Sequence, residues 1–176
     1  MELETVAKAL GRMTSVFERR PSSAIHADSS ATVSWNGGLQ TSVAHPNGAV
    51  FVTDMPSEFG GGGEHVTPGW FMRAGAASCT ATCIVMAAAQ RGMRLTHLEV
   101  TVTSCSDARG NLGMCDEQGR LVDAVPSDLE MRVRISAEGE SSQTLKNLVD
   151  AGLRFSSVAR ALEERLSISL HVDCSH

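Results

Sequence analysis

From Thr67 to Gly92 the chain reads as one helix with almost no polar face, and few folds can house such an element. Thr67 is a good N-cap, and Pro68 suits the first helical position, where a missing N–H costs nothing. The run Trp70-Phe71-Met72-Arg73-Ala74-Gly75-Ala76-Ala77-Ser78-Cys79-Thr80-Ala81-Thr82-Cys83 continues through Ala89 to a basic last turn at Arg91 and a terminating Gly92. That is about 24 residues, or about 36 Å of helix. A helix apolar all round belongs in a protein core or in a membrane. Arg73, Gly75, Ser78, Thr80, Thr82 and the many small residues give it low lipid-facing hydrophobicity, so a core position is expected and a membrane is not.

Two thiols, Cys79 and Cys83, sit one turn apart near the middle of this helix. At that spacing they share a face with Cα atoms about 6 Å apart, inside the disulfide range but near its long end. They are either small core residues or a reactive pair. Cys79 lies about three turns from the helix start, too deep for the dipole to lower its pKa much, so an arginine or histidine from elsewhere is expected to hold its thiolate. Arg73, His65 and Arg154 are the candidates.

The 176 residues suffice for one domain with a real core. A net charge of −5 and the absence of a lysine–arginine block exclude a nucleic-acid partner on bulk electrostatics. The start, Met1-Glu2-Leu3-Glu4-Thr5, has no apolar signal region. Five cysteines, an odd number without framework spacing, are expected to be reduced thiols in a cytoplasmic protein. Neither a CxxC pair nor a closely spaced histidine pair occurs, so no structural metal site and no cofactor is expected. Cys105, Cys115 and Cys174 have no partner by spacing.

Periodicity places an amphipathic helix over residues 2–19, with Leu3, Val6, Ala7, Leu10, Met13 and Phe17 on one stripe that should dock on the body. Residues 1–22 form this N-terminal unit, and residues 23–176 form the single domain. Short strands are expected at Ala31–Trp35, Leu39–Ala44 and Ala49–Thr53, joined by Asn36-Gly37-Gly38 and His45-Pro46-Asn47-Gly48 turns. The Phe59–His65 loop, rich in glycine, reads as a mobile turn or lid. After Gly92 the period changes to two: Leu98, Val100, Val102 and Ser104 in one strand, Leu129, Met131, Val133 and Ile135 in an antiparallel partner. Helices follow over Gln143–Gly152 and Ser157–Leu166, and Ile168, Leu170 and Val172 read as a closing strand. Clustered strands point to α+β architecture with antiparallel sheet. A sheet this small cannot wrap the long helix, so a second copy is expected to cover it.

Several segments in this order carry a family resemblance. They are Asp54 with Gly60-Gly61, Thr67-Pro68, Ala76-Ala77-Ser78-Cys79, Gly92 with Leu95, and Leu98-Glu99-Val100. Asp107-x-Arg109-Gly110-x-Leu112-Gly113 and Ser156-Ser157-Val158-Ala159-Arg160-Ala161-Leu162 complete the set. From about Ser30 onward the chain resembles the osmotically inducible protein C and organic hydroperoxide resistance family (OsmC/Ohr). The resemblance implies curved antiparallel sheets around a long buried central helix in an intertwined homodimer. It also implies a nucleophilic cysteine at Cys79 that attacks a peroxide oxygen, a resolving cysteine on the later helix, and a thiol reductant. The sequence departs from the pattern at three places. Ser156-Ser157 stands where the family has Cys-Pro, Gly69 replaces a glutamate after the helix-opening proline, and no arginine occurs between Ala31 and Ala44.

Two functional classes follow. One is thiol-dependent reduction of organic hydroperoxides or related electrophiles by Cys79, with Cys83 as a substitute second thiol, in an oxidative-stress role. The other is a non-catalytic dimer on the same fold that binds a small apolar ligand or serves as a scaffold.

Overall fold

A computed structural model describes residues 3–164 and 168–174. The elements are α1 (Leu3–Arg19), β1 (Thr32–Gly37), β2 (Gln40–Ala44), β3 (Val50–Thr53), α2 (Pro68–Gln90), β4 (Leu95–Cys105), α3 (Ala108–Asn111), β5 (Ser127–Ala137), α4 (Ser142–Phe155) and α5 (Ser157–Glu163). The architecture is α+β, with an antiparallel three-stranded sheet in the order β1-β2-β3 and an antiparallel β4-β5 pair.

The helix ends form where the caps predict. The Thr67 hydroxyl accepts from the Trp70 N–H at 3.2 Å, and Ser141 accepts from Thr144 at 3.1 Å, each satisfying a donor the helix leaves orphaned. α2 stops because Gly92 enters the left-handed region (φ 66°), which lets the Met93 N–H reach back to the Ala88 carbonyl at 3.0 Å.

The core lies where α2, α4 and the β4-β5 pair meet. Ile84, Ala87, Ala88, Met93 and Leu148 are buried there, with Leu98, Val100, Val133 and Ile135 packed against them. Fully burying a side chain such as Ile84 or Leu148 contributes about 1.5–3 kcal/mol. In the β4-β5 register Leu98 faces Ile135, and Val100 faces Val133, so one face is apolar. The alternate face carries the Glu99–Arg134 ion pair at 2.8 Å. α4 approaches α2 so closely that a Cβ at Gly152 would fall 2.3 Å from Ile84 Cγ1. Only glycine lets the two helices touch at that point.

α1 packs against α2. Leu3, Val6, Ala7, Leu10 and Phe17 are half-buried, whereas Met13 is 49% exposed, so the expected stripe is covered except at Met13. α2 is long and apolar enough to cross a membrane by composition, with a mean hydropathy of 1.3 over its best window. Here it packs on α1, α4, α5 and β4, while Trp70, Ser78, Thr82 and Met86 remain exposed.

Three expectations are corrected. Residues Ile168, Leu170 and Val172 are in no strand and are strongly exposed. Alternation signals a face that wants burial but cannot supply the ladder partner a strand requires. The last helix ends at Glu163, and Leu166 lies outside the described residues. The glycine loop is tied down rather than loose. The buried Asp54 carboxylate accepts from the Met55 N–H at 2.7 Å and the Gly62 N–H at 2.9 Å. Gly63 N–H also bonds the Met55 carbonyl at 3.2 Å. A Cβ at Gly61 would lie 1.9 Å from the Met55 oxygen, so the glycine permits close packing here.

Candidate active site

α2 turns one face toward the junction of α4 and α5, and Cys79, Thr80 and Cys83 lie on it. The junction is made by Ser156, which terminates α4 and caps α5, its hydroxyl accepting from the Ala159 N–H at 3.3 Å. Thr80 Oγ1 donates to Ser156 Oγ at 3.1 Å, and both side chains are fully buried. Cys79 Sγ lies 3.7 Å from Ser157 Oγ. One turn on, the Cys83 thiol donates to the Phe155 carbonyl at 3.3 Å. Three consecutive residues, 155 to 157, therefore hold both thiols.

Burial is the largest single influence on Cys79 and pushes its thiol up. Hydrogen bonds from the Ser156 hydroxyl, the Val158 N–H, and the hydroxyl and N–H of Ser157 together outweigh it and bring the pKa from 9.0 to about 7. A thiolate at the first turn of α5 is held by the same unsatisfied N–H groups that make helix N-termini favourable to negative charge. Cys83 is displaced the other way: burial raises its pKa, and the charge of Cys79 and a hydrogen bond with it raise it further. Two thiols one turn apart thus divide into an ionisable sulfur and a protonated one.

Among the described residues, none of the three expected cations joins this arrangement. Arg73 Nη1 donates to Ser104 Oγ on β4 at 3.2 Å, and six residues along a helix place it about 120° around α2 from Cys79. His65 is exposed in the loop before α2. Arg154 lines an open pocket with Arg91, Asn147, Asp150 and Phe155. None of the three acts on the Cys79 sulfur, whose stabilisation comes from hydroxyls and backbone amides instead. Ser156 and Ser157 directly before an apolar helical run are an N-cap pattern, the signal that would have located these donors in the sequence.

Cys105, Cys115 and Cys174 are free and exposed. Among the described residues no three His, Cys, Asp or Glu side chains converge as a metal site. A cavity of about 450 Å³ runs between α2 and β4, lined by Trp70, Arg73, Ala74, Ala77, Ser78 and Val100 among others. Gly69 stands beside it, and a Cβ there would lie 3.7 Å from Arg73 Nη1.

The family profile described as OsmC-like protein matches residues 61–171, a span that contains α2, the β4-β5 pair and the α4–α5 junction. The chain belongs to the OsmC-like protein family. Solved structures agree in fold. An OsmC-like protein from Mycoplasma pneumoniae is 13% identical, with a TM-score of 0.65, covering 80% of this chain and 91% of its own. An organic hydroperoxide resistance protein OsmC from Legionella pneumophila is 20% identical, with a TM-score of 0.56 and coverages of 78% and 90%. A third, a putative organic hydroperoxide resistance protein from Vibrio cholerae with captopril bound in one of its active sites, is 17% identical. Its TM-score is 0.54, with coverages of 80% and 89%. No curated protein matches the chain. For this OsmC-like protein, Cys79 on the long helix faces the α4–α5 junction, where the resemblance placed the resolving position, and that position holds a buried serine.

Proposed function

We propose that this OsmC-like protein is a thiol-dependent reductase of organic hydroperoxides or related electrophiles, with Cys79 as its nucleophile and an external thiol as its reductant. The observation that carries the reading is the Cys79 sulfur, 3.7 Å from the Ser157 hydroxyl at the α4–α5 junction, with its pKa lowered to about 7 there. The lowered pKa enlarges the fraction of thiolate at neutral pH, the form that attacks a peroxide.

The chemistry balances as follows. The Cys79 thiolate attacks the distal peroxide oxygen; the O–O bond breaks, and the alkoxide takes a proton to leave as alcohol. Cys79 becomes a sulfenic acid. Ser156 cannot form a disulfide, so a small thiol condenses with the sulfenic acid, releasing water and leaving a mixed disulfide. A second thiol attacks the reductant's own sulfur, releasing the oxidised reductant and restoring the thiolate. Cys83 is a poor resolving thiol because its pKa is raised and the i,i+4 helix geometry strains a bridge.

The working unit in this reading is a homodimer in the cytoplasm, in an oxidative-stress role. Trp35, Val50, Phe51, Trp70 and Met86 are exposed apolar groups for which one protomer provides no cover. Turnover of cumene hydroperoxide in the presence of dithiothreitol tests the activity. Cys79→Ser should abolish it, Cys83→Ser should leave most of it, and the rate should rise with thiol concentration. Wild-type protein without turnover would instead favour a binding or scaffold role.

A further inference from the structure

We propose that Cys79 and Cys83 together form a two-coordinate site for copper(I), a soft monovalent cation. The site does not depend on peroxide turnover at Cys79.

α2 runs without interruption from Pro68 to Gln90, so positions 79 and 83 lie one turn apart on one face. Both sulfurs also turn toward the same place. Cys79 Sγ stands 3.7 Å from the Ser157 hydroxyl, and Cys83 Sγ stands 3.3 Å from the Phe155 carbonyl, two residues away at the α4–α5 junction. Helix side chains at this spacing have Cβ atoms about 5–6 Å apart. A disulfide needs Cβ atoms about 3.5–4.5 Å apart, so direct closure would strain the helix. An ion between the sulfurs removes the mismatch. A metal–thiolate bond is about 2.3 Å long, and two in line set the sulfurs about 4.6 Å apart, near the separation of the Cβ atoms themselves. The spacing that opposes a disulfide therefore suits a bridging ion.

The donor set then selects which ion. Among the described residues no third His, Cys, Asp or Glu side chain joins the pair, so zinc would lack its four ligands. Copper(I) prefers thiolate and accepts linear coordination by two of them. Binding forms two Cu–S bonds and releases two protons, with no change of oxidation state. The Cys83 thiol gives up its hydrogen bond to the Phe155 carbonyl in the exchange. Both cysteines are half-buried rather than sealed, which leaves the ion a way in.

Anaerobic titration of the full chain with copper(I), against the chelator bathocuproine disulfonate, tests the site. The exposed thiols are removed as competitors by Cys105→Ser, Cys115→Ser and Cys174→Ser. One tightly held ion per chain is expected in that parent. Cys79→Ser and Cys83→Ser should each weaken binding by about 100-fold or more, since even outer-shell partners of a ligand are worth roughly 10–100-fold. X-ray absorption of the loaded parent should show two sulfur neighbours. Either single variant binding as tightly as the parent, or a third neighbour at bonding distance, overturns the proposal. Should a variant lose its cooperative melt, the wild type decides. Copper(I) must then protect Cys79 and Cys83 together from iodoacetamide, read by peptide mass spectrometry, and protection of one alone or of neither overturns it.

Discussion

The α4–α5 flank of the long helix and the β1-β2-β3 sheet are built from equally ordinary residues, yet the first buries a core within the protomer, with Phe155 left exposed at its rim, and the second buries almost none. On the flank, Thr80, Ile84, Leu148 and Ser156 are fully buried, and Gly152 brings two helices into contact. The sheet leaves Trp35 75% and Val33 56% exposed, and it meets α2 chiefly at its edge, where the Phe51 and Phe71 rings stand 5.8 Å apart. The difference separates two jobs. The flank brings hydroxyls and amides to Cys79 within one protomer, whereas the sheet presents apolar surface that a second chain would cover.

The largest effect should come from spoiling the buried side. Gly152→Leu puts side-chain atoms where Ile84 already sits, and a loss of about 3 kcal/mol or more is expected, enough to prevent folding. Urea unfolding of the variant checks it, and a stability within ~1 kcal/mol of the wild type would show that the helices separate easily there. A smaller effect is expected on the exposed side. Light scattering should give twice the chain mass for the wild type, and Trp35→Asp should shift the population toward single chains while far-ultraviolet circular dichroism is kept. A folded wild-type monomer would remove the contrast between the two regions altogether.

The smallest effect is one of pH. The Cys79 pKa is lowered in the folded protein, so folding favours the thiolate. The stabilisation is fully present above the unfolded value near 9 and is lost as pH falls through about 7. Because the sulfur is only half-buried and partly screened by solvent, the gain between pH 6 and 9 should be at most ~1 kcal/mol. Comparison of wild type with Cys79→Ser in urea isolates it, and a difference that does not grow with pH would show the thiolate to be held no better than in the unfolded chain.

Much of this was legible in the residues themselves. Thr67-Pro68 and Gly92 mark the ends of α2. The alternation of Leu98 to Val102 and Leu129 to Ile135 identifies the β4-β5 pair. Local chemistry fixes such features, and they need no partner far along the chain. The environment of Cys79 was not legible in that way. Its hydrogen-bond partner lies more than 70 residues away, across the α2–α5 contact, and no spacing rule joins positions 79 and 157. A charge was expected because thiolates are often paired with cations, but a helix cap performs the same task with neutral groups. The closing strand at Ile168 to Val172 failed for the complementary reason, since periodicity reports a preferred face and says nothing about who supplies the neighbouring ladder.

The central claim is that Cys79, and not Cys83, is the reactive sulfur. Peptide mass spectrometry after one equivalent of cumene hydroperoxide, with the sulfenic-acid trap dimedone and then with a small thiol in its place, reads this directly. The account predicts a dimedone adduct on Cys79 in the first case and a mixed disulfide on Cys79 in the second, with Cys83 unmodified in both. An unmodified Cys79 under conditions that oxidise free cysteine would contradict it.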